Sequence, residues 1–397
     1  MTTVALLTRE YPPHVYGGAG VHVEHLAAAL APHVDVQVHR FAESDSPQPG
    51  HSYSGWDALA GDAPHLAALR VMSTDLVMAA GVEGADVAHS HTWYANFAGH
   101  LAKLLYGIPH VCTTHSLEPL RPWKAEQLGG GYAVSSFCER TALEGADRVI
   151  AVSERMRSDI LSCYPTVDAD RVVVVHNGID VATYAPDAGR DVLDRHGIDP
   201  DRPSVVFVGR ITRQKGLTHL LDAAEMLDAT AQLVLCAGAP DTPEIASEVA
   251  ERVQRLRASR EGVAWIDELL PRPDVVQILS HATVFVCPSI YEPFGLVNVE
   301  AMACEAAVVA SRTGGIPEIV VEGETGLLVD VDPGDDAYGT PRDPQRFSRD
   351  LAAAINSLVA DPQRAQAMGE AGRRRVVEEF SWHAIAERTA EVYGSVL

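Results

Sequence analysis

Short runs of β-branched and apolar residues alternate with stretches of helical period along the whole chain, the pattern of parallel sheets covered by helices. In the first half, Val4 to Leu7, Val34 to His39, Val87 to Ser90, His110 to Thr114, Arg148 to Val152 and Val172 to Val175 read as strands. Helical stretches at about Val21 to Ala31, Ala95 to Leu105, Ala133 to Glu144 and Glu154 to Cys163 separate most of them. The cycle then restarts with Val205 to Val208, Gln232 to Ala237, Val263 to Ile266, Val284 to Cys287, Ala307 to Ala310 and Gly326 to Val329. Between the two sets, Asn177-Gly-Ile-Asp180 followed by Pro186, Gly189 and Gly197 is turn chemistry, which puts a boundary near Asn177. From Asp343 onward the chain is strand-free and helical in period, and Ser381 is an N-cap for a last helix ending near Tyr393. The expected organisation is α/β: two doubly wound Rossmann-like domains over 1–177 and 178–380, with a terminal helix over 381–397 packing back on the first. Two stretches read as loops, Ala42 to Gly61 and the acidic, Pro/Gly-rich Asp330 to Pro344.

Composition narrows the function classes. At 397 residues, 47% of them hydrophobic and 21% charged, the chain is a folded protein with room for two cores. Its 54 acidic against 31 basic residues leave a net charge of −23, which repels nucleic acid and anionic membranes over most of the surface. The start lacks a basic region, its apolar run ends at Leu7, and no run approaches a membrane span, so a cytoplasmic chain with no membrane partner is expected. Six cysteines without a C-x-x-C pair read as reduced core residues. His89 and His91 share one strand face and His115 follows a later strand, but no H-E-x-x-H or carboxylate set accompanies them, and no metal is expected. Only Lys103, Lys124 and Lys215 are lysines, so each invites a question.

In open parallel sheets ligands sit outside the carboxyl ends of the strands, and two such sheets facing each other give an interdomain cleft. After the first strand comes Thr8-Arg-Glu-Tyr-Pro-Pro-His-Val-Tyr-Gly-Gly-Ala-Gly20 and then a helix expected to open at Val21. Its glycines, Gly17 and Gly18 among them, let amides approach an anion, although the loop is too long for a dinucleotide turn. After the first strand of the second half, Gly209-Arg-Ile-Thr-Arg-Gln-Lys-Gly216 places Arg210 and Lys215 in a loop before a helix starting near Leu217, where a fork and a point charge can clamp one pyrophosphate. Further on, Pro288-Ser-Ile-Tyr-Glu-Pro-Phe-Gly-Leu-Val-Asn-Val-Glu300 carries two carboxylates, Glu292 in a loop and Glu300 in the second turn of a helix beginning near Gly295. Eight residues separate them by up to about 12 Å along a helix axis, against about 5 Å for a retaining glycosidase pair, so they read as two ligand contacts. The amides of Gly295, Leu296 and Val297 point at an anion. His115 follows its strand directly and can bond a sugar hydroxyl or carry a proton, or serve as a structural histidine.

Together these motifs resemble the retaining glycosyltransferases of the GT-B fold, in the glycogen synthase-like superfamily. The resemblance covers nearly the whole chain. Arg9-Glu-Tyr-Pro-Pro-His-Val-Tyr-Gly-Gly-Ala-Gly, Ser90-His-Thr-Trp-Tyr-Ala-Asn and Thr114-His-Ser-Leu-Glu-Pro-Leu-Arg-Pro-Trp-Lys124 look like the actinobacterial branch, whose members are glycogen synthases or maltose-1-phosphate-forming enzymes using ADP-glucose. The resemblance implies retention of configuration, no metal and no cofactor beyond the nucleotide-sugar substrate. It gives Arg210 and Lys215 the departing diphosphate, Glu292 the hydroxyls of the transferred glucose, Glu300 the nucleotide ribose, and His115 a place near the transferred sugar. Gly17 and Gly18 fall to the donor, and Glu10 and Tyr11 of the same loop to the acceptor. Longer bacterial glycogen synthases carry a lysine two residues before the Gly-Gly pair, where Val15 stands here, so the loop's role rests on amides alone.

The acceptor is either a neutral glucan or the small dianion glucose 1-phosphate, which needs its own basic site. Leu120-Arg-Pro-Trp-Lys124 brings Arg121 and Lys124 beside an aromatic ring, a phosphate receiver or a solvated loop anchored by Trp123. Trp265 and Ile266 are nucleobase contacts or core, and ADP against UDP stays open, as does the oligomeric state. A UDP-glucose-dependent transferase on another small acceptor and a sugar-nucleotide epimerase remain as alternatives. A phosphorylase lacks a spare lysine other than Lys103, and a glucan-binding protein would need more than 6% aromatic residues.

Overall fold

The computed structural model describes residues 1–15, 18–42, 51–121, 124–336 and 339–397, with side chains at all of these except 126 and 127. The chain divides into two compact units, Met1–Gly178 with Trp382–Leu397, and Ile179–Ser381. Among the described residues the first unit holds a seven-stranded parallel sheet of β1 (Thr3–Thr8), β2 (Asp35–Phe41), β3 (His51–Tyr53), β4 (Val87–His91), β5 (His110–Thr114), β6 (Arg148–Ala151) and β7 (Val172–Val174), in the order β3-β2-β1-β4-β5-β6-β7. The second unit, again among the described residues, holds a six-stranded parallel sheet of β8 (Ser204–Arg210), β9 (Gln232–Gly238), β10 (Val263–Ile266), β11 (Val284–Cys287), β12 (Ala307–Ser311) and β13 (Gly326–Val329), in the order β10-β9-β8-β11-β12-β13. In both the strand order reverses after the first strand, so each unit has a crevice at its switch point, beside β1 and β4 or beside β8 and β11.

Burial on both faces explains why the central strands read as near-continuous apolar runs. Val284, Phe285, Val286 and Cys287 are all buried, as are Ala307 to Ser311. The exceptions include β4, whose His89, Ser90 and His91 are buried yet polar, and β5, with buried His110, Thr113 and Thr114. His89 and Ser90 find partners: the Nδ1 of His89 lies 2.7 Å from the Tyr393 hydroxyl and its Nε2 2.7 Å from Thr113 Oγ1, while Ser90 Oγ donates to Asn96 Oδ1 at 3.0 Å.

The tail helices follow from two Asp-Pro pairs. Asp343 and Asp361 accept from the amides of Arg346 and Arg364 at 2.9 and 3.1 Å, and Pro344 and Pro362 open the helices Pro344–Val359 and Pro362–Glu379. Phe347, Leu351, Ile355 and Leu358 line the buried stripe of the first of these. The last helix, Trp382–Gly394, belongs to the first unit, where Ile385, Ala386 and Tyr393 pack with Val4, Leu6, Val23, Leu26 and Leu30.

Among the departures from the sequence reading are two stretches of the first unit. Ala42 to Gly61, expected as a loop, contains β3 and a 3-10 turn at Asp57–Leu59, while 43–50 lie outside the described residues. Three polar residues at a sheet edge leave no alternation to read; their support is lateral, from the His39–His51 ring stack at 4.3 Å and the Tyr53 hydroxyl 2.9 Å from His39 Nδ1. The helix Pro64–Ala80 was not foreseen either, because polar Ser73, Thr74 and Asp75 interrupt its buried face. No described helix is long and apolar enough to cross a membrane.

Candidate functional site

In the second unit, side chains from the ends of three adjacent strands meet. After β8, the chain makes a 3-10 turn, Arg213–Lys215, and Gly216 leads into the helix Leu217–Ala224. Arg210 is thus the last residue of a strand and Lys215 the end of a turn, so the two are not in one open loop as expected. Gly216 has φ 65°, and a Cβ there would lie 2.0 Å from the Pro288 carbonyl oxygen. The loop after β8 therefore rests on the loop after β11, and Ile290 N–H donates to the Gln214 carbonyl at 2.9 Å.

That contact delivers Lys215 to Glu292. Lys215 Nζ lies 2.7 Å from Glu292 Oε2, with the two side chains 20% and 10% exposed. Ser289 Oγ donates to the same oxygen at 3.1 Å. Burial opposes the charge on Lys215, but the Glu292 carboxylate outweighs it and holds the ammonium above the usual lysine pKa. The field of Arg210 reaches Lys215 too, and Arg210 itself lies 3.5 Å from Asp241. The third strand end, after β12, is Thr313-Gly-Gly315: Gly315 N–H donates to the Glu292 carbonyl at 3.0 Å and Thr313 Oγ1 to the Ile290 carbonyl at 3.3 Å. Ser289 and the Gly-Gly pair were missed in the sequence; a Gly-Gly four residues beyond the predicted strand Ala307 to Ala310 was the available signal.

Glu300 lies in the helix Leu296–Ala303, entered through Gly295 at φ 110°. It takes a partner different from Glu292's, the Tyr184 hydroxyl at 2.9 Å. Burial raises Glu300 to about pKa 7 against the pull of that hydrogen bond, Arg272 and Lys215. The amide-bearing Leu296 and Val297 are half-buried at the helix start. Ile266 ends the edge strand β10 and is 5% exposed, while Trp265 spends its indole N–H on the Ala237 carbonyl at 2.8 Å and packs on the core.

In the first unit, the described helix after β1 begins at Gly18, three residues before the expected Val21, so Gly18 and Gly20 sit in its first turn. Gly17 lies outside the described residues. A Cβ on Gly20 would fall 2.7 Å from the Cβ of Glu10, which explains a glycine inside a helix. Tyr11 and His14 close a small turn through a 3.1 Å backbone bond. His115 follows β5, half-buried; its Nε2 lies 3.2 Å from Nδ1 of His91 at the end of β4, and its ring centroid 4.7 Å from that of His22 in the helix after β1. Burial lowers His115 to about pKa 4, so it is neutral near pH 7. His22 carried no signal of its own, since it sits within an apolar helical stripe.

Arg121 and Lys124 share one turn: Lys124 N–H donates to the Arg121 carbonyl at 2.9 Å, and Arg121 Nη1 to Ser116 Oγ at 3.1 Å. Trp123, proposed as their aromatic neighbour, lies outside the described residues. Beneath the turn two carboxyl groups are buried. Glu139 accepts from Glu118 N–H at 2.8 Å and from the Tyr164 hydroxyl at 2.5 Å, and Ser135 Oγ donates to Glu118 at 2.6 Å. Burial, then repulsion from Glu118, raises Glu139 to about pKa 8. Between pH 4.5 and 8 the unfolded chain releases a proton that the folded chain keeps, so this group makes stability fall by up to ~1.4 kcal/mol per pH unit across that range. Glu139→Gln is therefore expected to flatten the fall in melting temperature between pH 5 and 8, leaving the variant the more stable protein at about pH 8. Parallel melting curves for the two proteins would refute the buried neutral carboxyl.

Residues 190–375 match the family model "Glycosyl transferases group 1", and residues 16–183 match "Glycosyltransferase Family 4". The chain is 57% identical over 396 residues to an α-maltose-1-phosphate synthase of Mycolicibacterium smegmatis, covering 99% of both. It is 30% identical to a glycogen synthase of Mycobacterium tuberculosis, covering 98% of this chain and 94% of that one. Among solved structures, sucrose-phosphate synthase from Thermosynechococcus elongatus superposes with a TM-score of 0.78 at 25% identity, covering 100% of this chain and 99% of that one.

Proposed function

The chain belongs to the GT-B glycosyltransferases, in the branch of the α-maltose-1-phosphate synthases and glycogen synthases, and from that premise we propose that it transfers glucose from ADP-glucose to glucose 1-phosphate with retention at C1. One observation carries the choice of acceptor: over essentially the same stretch, identity is 57% to a maltose-1-phosphate synthase and 30% to a glycogen synthase.

In this reading the bond from glucose C1 to the diphosphate breaks and one from C1 to the acceptor 4-hydroxyl oxygen forms on the same face. The acceptor proton passes to the leaving phosphate oxygen. The second unit supplies the charge that makes this departure feasible: Lys215 and Arg210 as cations, and the amides of Gly295, Leu296 and Val297 as donors at a helix start. In this reading no metal takes part, since Lys215 and Arg210 supply the fixed positive charge for the departing diphosphate. Glu292 holds sugar hydroxyls and Glu300 the ribose. Tyr184 and Ser289 position these two carboxylates through the hydrogen bonds described above. His115, neutral by burial, offers a donor or acceptor to a sugar hydroxyl.

Arg121 and Lys124 receive the acceptor phosphate, and the shared turn supports a joint role. Incubating the protein with ADP-glucose or UDP-glucose and with glucose 1-phosphate or maltooligosaccharide, then following nucleoside diphosphate and product mass, tests donor and acceptor together. Arg121→Ala and Lys124→Ala are each expected to raise KM for glucose 1-phosphate at least about tenfold, while changing activity on maltooligosaccharide less than twofold. Equal losses on both acceptors would remove the phosphate-receiver role.

A further inference from the structure

We propose that His22, His91 and His115 form a binding site for one borderline transition-metal ion, Zn²⁺ as the type case, and that its occupation takes His115 out of use in transfer.

Three elements of the first unit converge here: the second turn of the helix after β1, the last residue of β4 and the first residue after β5. One nitrogen from each ring can be chosen so that all three lie within 4.8 Å of one another. The tightest edge is already at metal spacing. Zn–N bonds of about 2.0 Å in a tetrahedron put ligand nitrogens about 3.3 Å apart, and His91 Nδ1 lies 3.2 Å from His115 Nε2.

The rings have nitrogen capacity to spare. His22 Nδ1 is buried without a hydrogen-bond partner, and at His91 the ion would replace the Nδ1–His115 Nε2 hydrogen bond while the buried, unpartnered Nε2 keeps the ring's proton; His22 and His91 are 4% and 0% exposed. By contrast the neighbouring His89 has both nitrogens engaged, by Tyr393 and Thr113, and so stands outside the trio. Burial keeps all three rings neutral near pH 7, leaving lone pairs without competition from protons. His115 is the least buried of the three.

Donor chemistry selects the ion. Three imidazoles with no carboxylate suit Zn²⁺, Cu²⁺ or Ni²⁺ and disfavour Mg²⁺ or Ca²⁺. Three protein nitrogens leave the fourth position of a tetrahedron for water. Trp382, edge-on to His22 at 5.2 Å between ring centroids, closes one side with an apolar wall.

Binding does not depend on the function proposed above; only the inhibition does, through His115. The full-length protein, free of nucleotide, is titrated with Zn²⁺ by calorimetry and with Co²⁺ by visible absorption. The expected result is one strong site per chain with the absorption of four-coordinate Co²⁺. His22→Phe, His91→Phe and His115→Phe keep ring packing and remove the ligand, and each is expected to weaken that site at least about 100-fold. His115→Phe, at a half-exposed position, decides the matter if the buried variants do not fold. Absence of a strong site, or the same affinity in all folded variants, overturns the proposal. With free Zn²⁺ held by a chelator buffer, transfer by the parent is expected to be inhibited and transfer by His22→Phe to be spared. Metal binding without inhibition would keep the site and count against the role given to His115.

Discussion

Lys215→Ala is expected to lower turnover at least about 100-fold, equivalent to about 3 kcal/mol of lost transition-state stabilisation. The reason is positional. Lys215 is one of three lysines on a chain of net charge −23, and it is held at the switch point of its sheet, where a ligand's phosphates would lie. Its partner is Glu292, 2.7 Å away, and this gives the substitution a second consequence. The carboxylate loses its cation while Ser289 still donates to it, so the melting temperature should fall by a few degrees as well. The two consequences can be separated. Lys215→Ala combined with Glu292→Gln removes the unpaired charge, and is expected to recover the melting temperature but none of the turnover. A Lys215→Ala enzyme with near-normal kcat would end the assignment of this lysine to the leaving group. Turnover recovered in the double variant would mean that Lys215→Ala acts only through the stranded charge on Glu292.

Much of the frame was legible in the sequence because parallel strands buried on both faces leave continuous apolar runs, and β11 and β12 are clear examples. The positions of the candidate residues were legible to the extent that strand ends were: Arg210, Lys215, Glu292 and His115 all stand at or just beyond a strand terminus or within the loop that follows it. What escaped was held by lateral contact. The strand β3 exists through stacking and edge pairing with β2, and nothing within its three residues announces it. Tyr184 meets Glu300 across 116 positions of sequence, and His22 meets His115 across a sheet crossover, so spacing arithmetic cannot find either. The helix that opens at Gly18 rather than Val21 shows a further limit: glycines were read as loop, whereas Gly20 is required by the close approach of Glu10 to a helix already formed.

The same kind of contact makes Gly314 the most vulnerable backbone position in the second unit's site. Its φ is +55°, and a Cβ added there would lie 1.7 Å from the Glu292 carbonyl oxygen, with the carbonyl carbon at 2.6 Å. An alanine pays roughly 1–2 kcal/mol for the left-handed backbone alone. The collision adds more, because what it meets is main chain rather than the end of a flexible side chain, and the main chain is that of Glu292 itself. Relief requires the Glu292 backbone to move, which breaks the Gly315 N–H bond to its carbonyl and draws the carboxylate away from Lys215 and Ser289. Gly314→Ala is therefore expected to lower kcat about 100-fold, since displacements near 1 Å at a reacting centre are enough for such a loss. Gly323 provides the comparison within the same unit: its φ is +77°, and nothing lies within 4 Å of an added Cβ. Gly323→Ala carries the backbone cost without the collision, and should lose a little stability with kcat unchanged. If the two alanine variants lose the same stability and both keep full turnover, Gly314 serves only the turn, and the support of Glu292 from β12 has no catalytic weight.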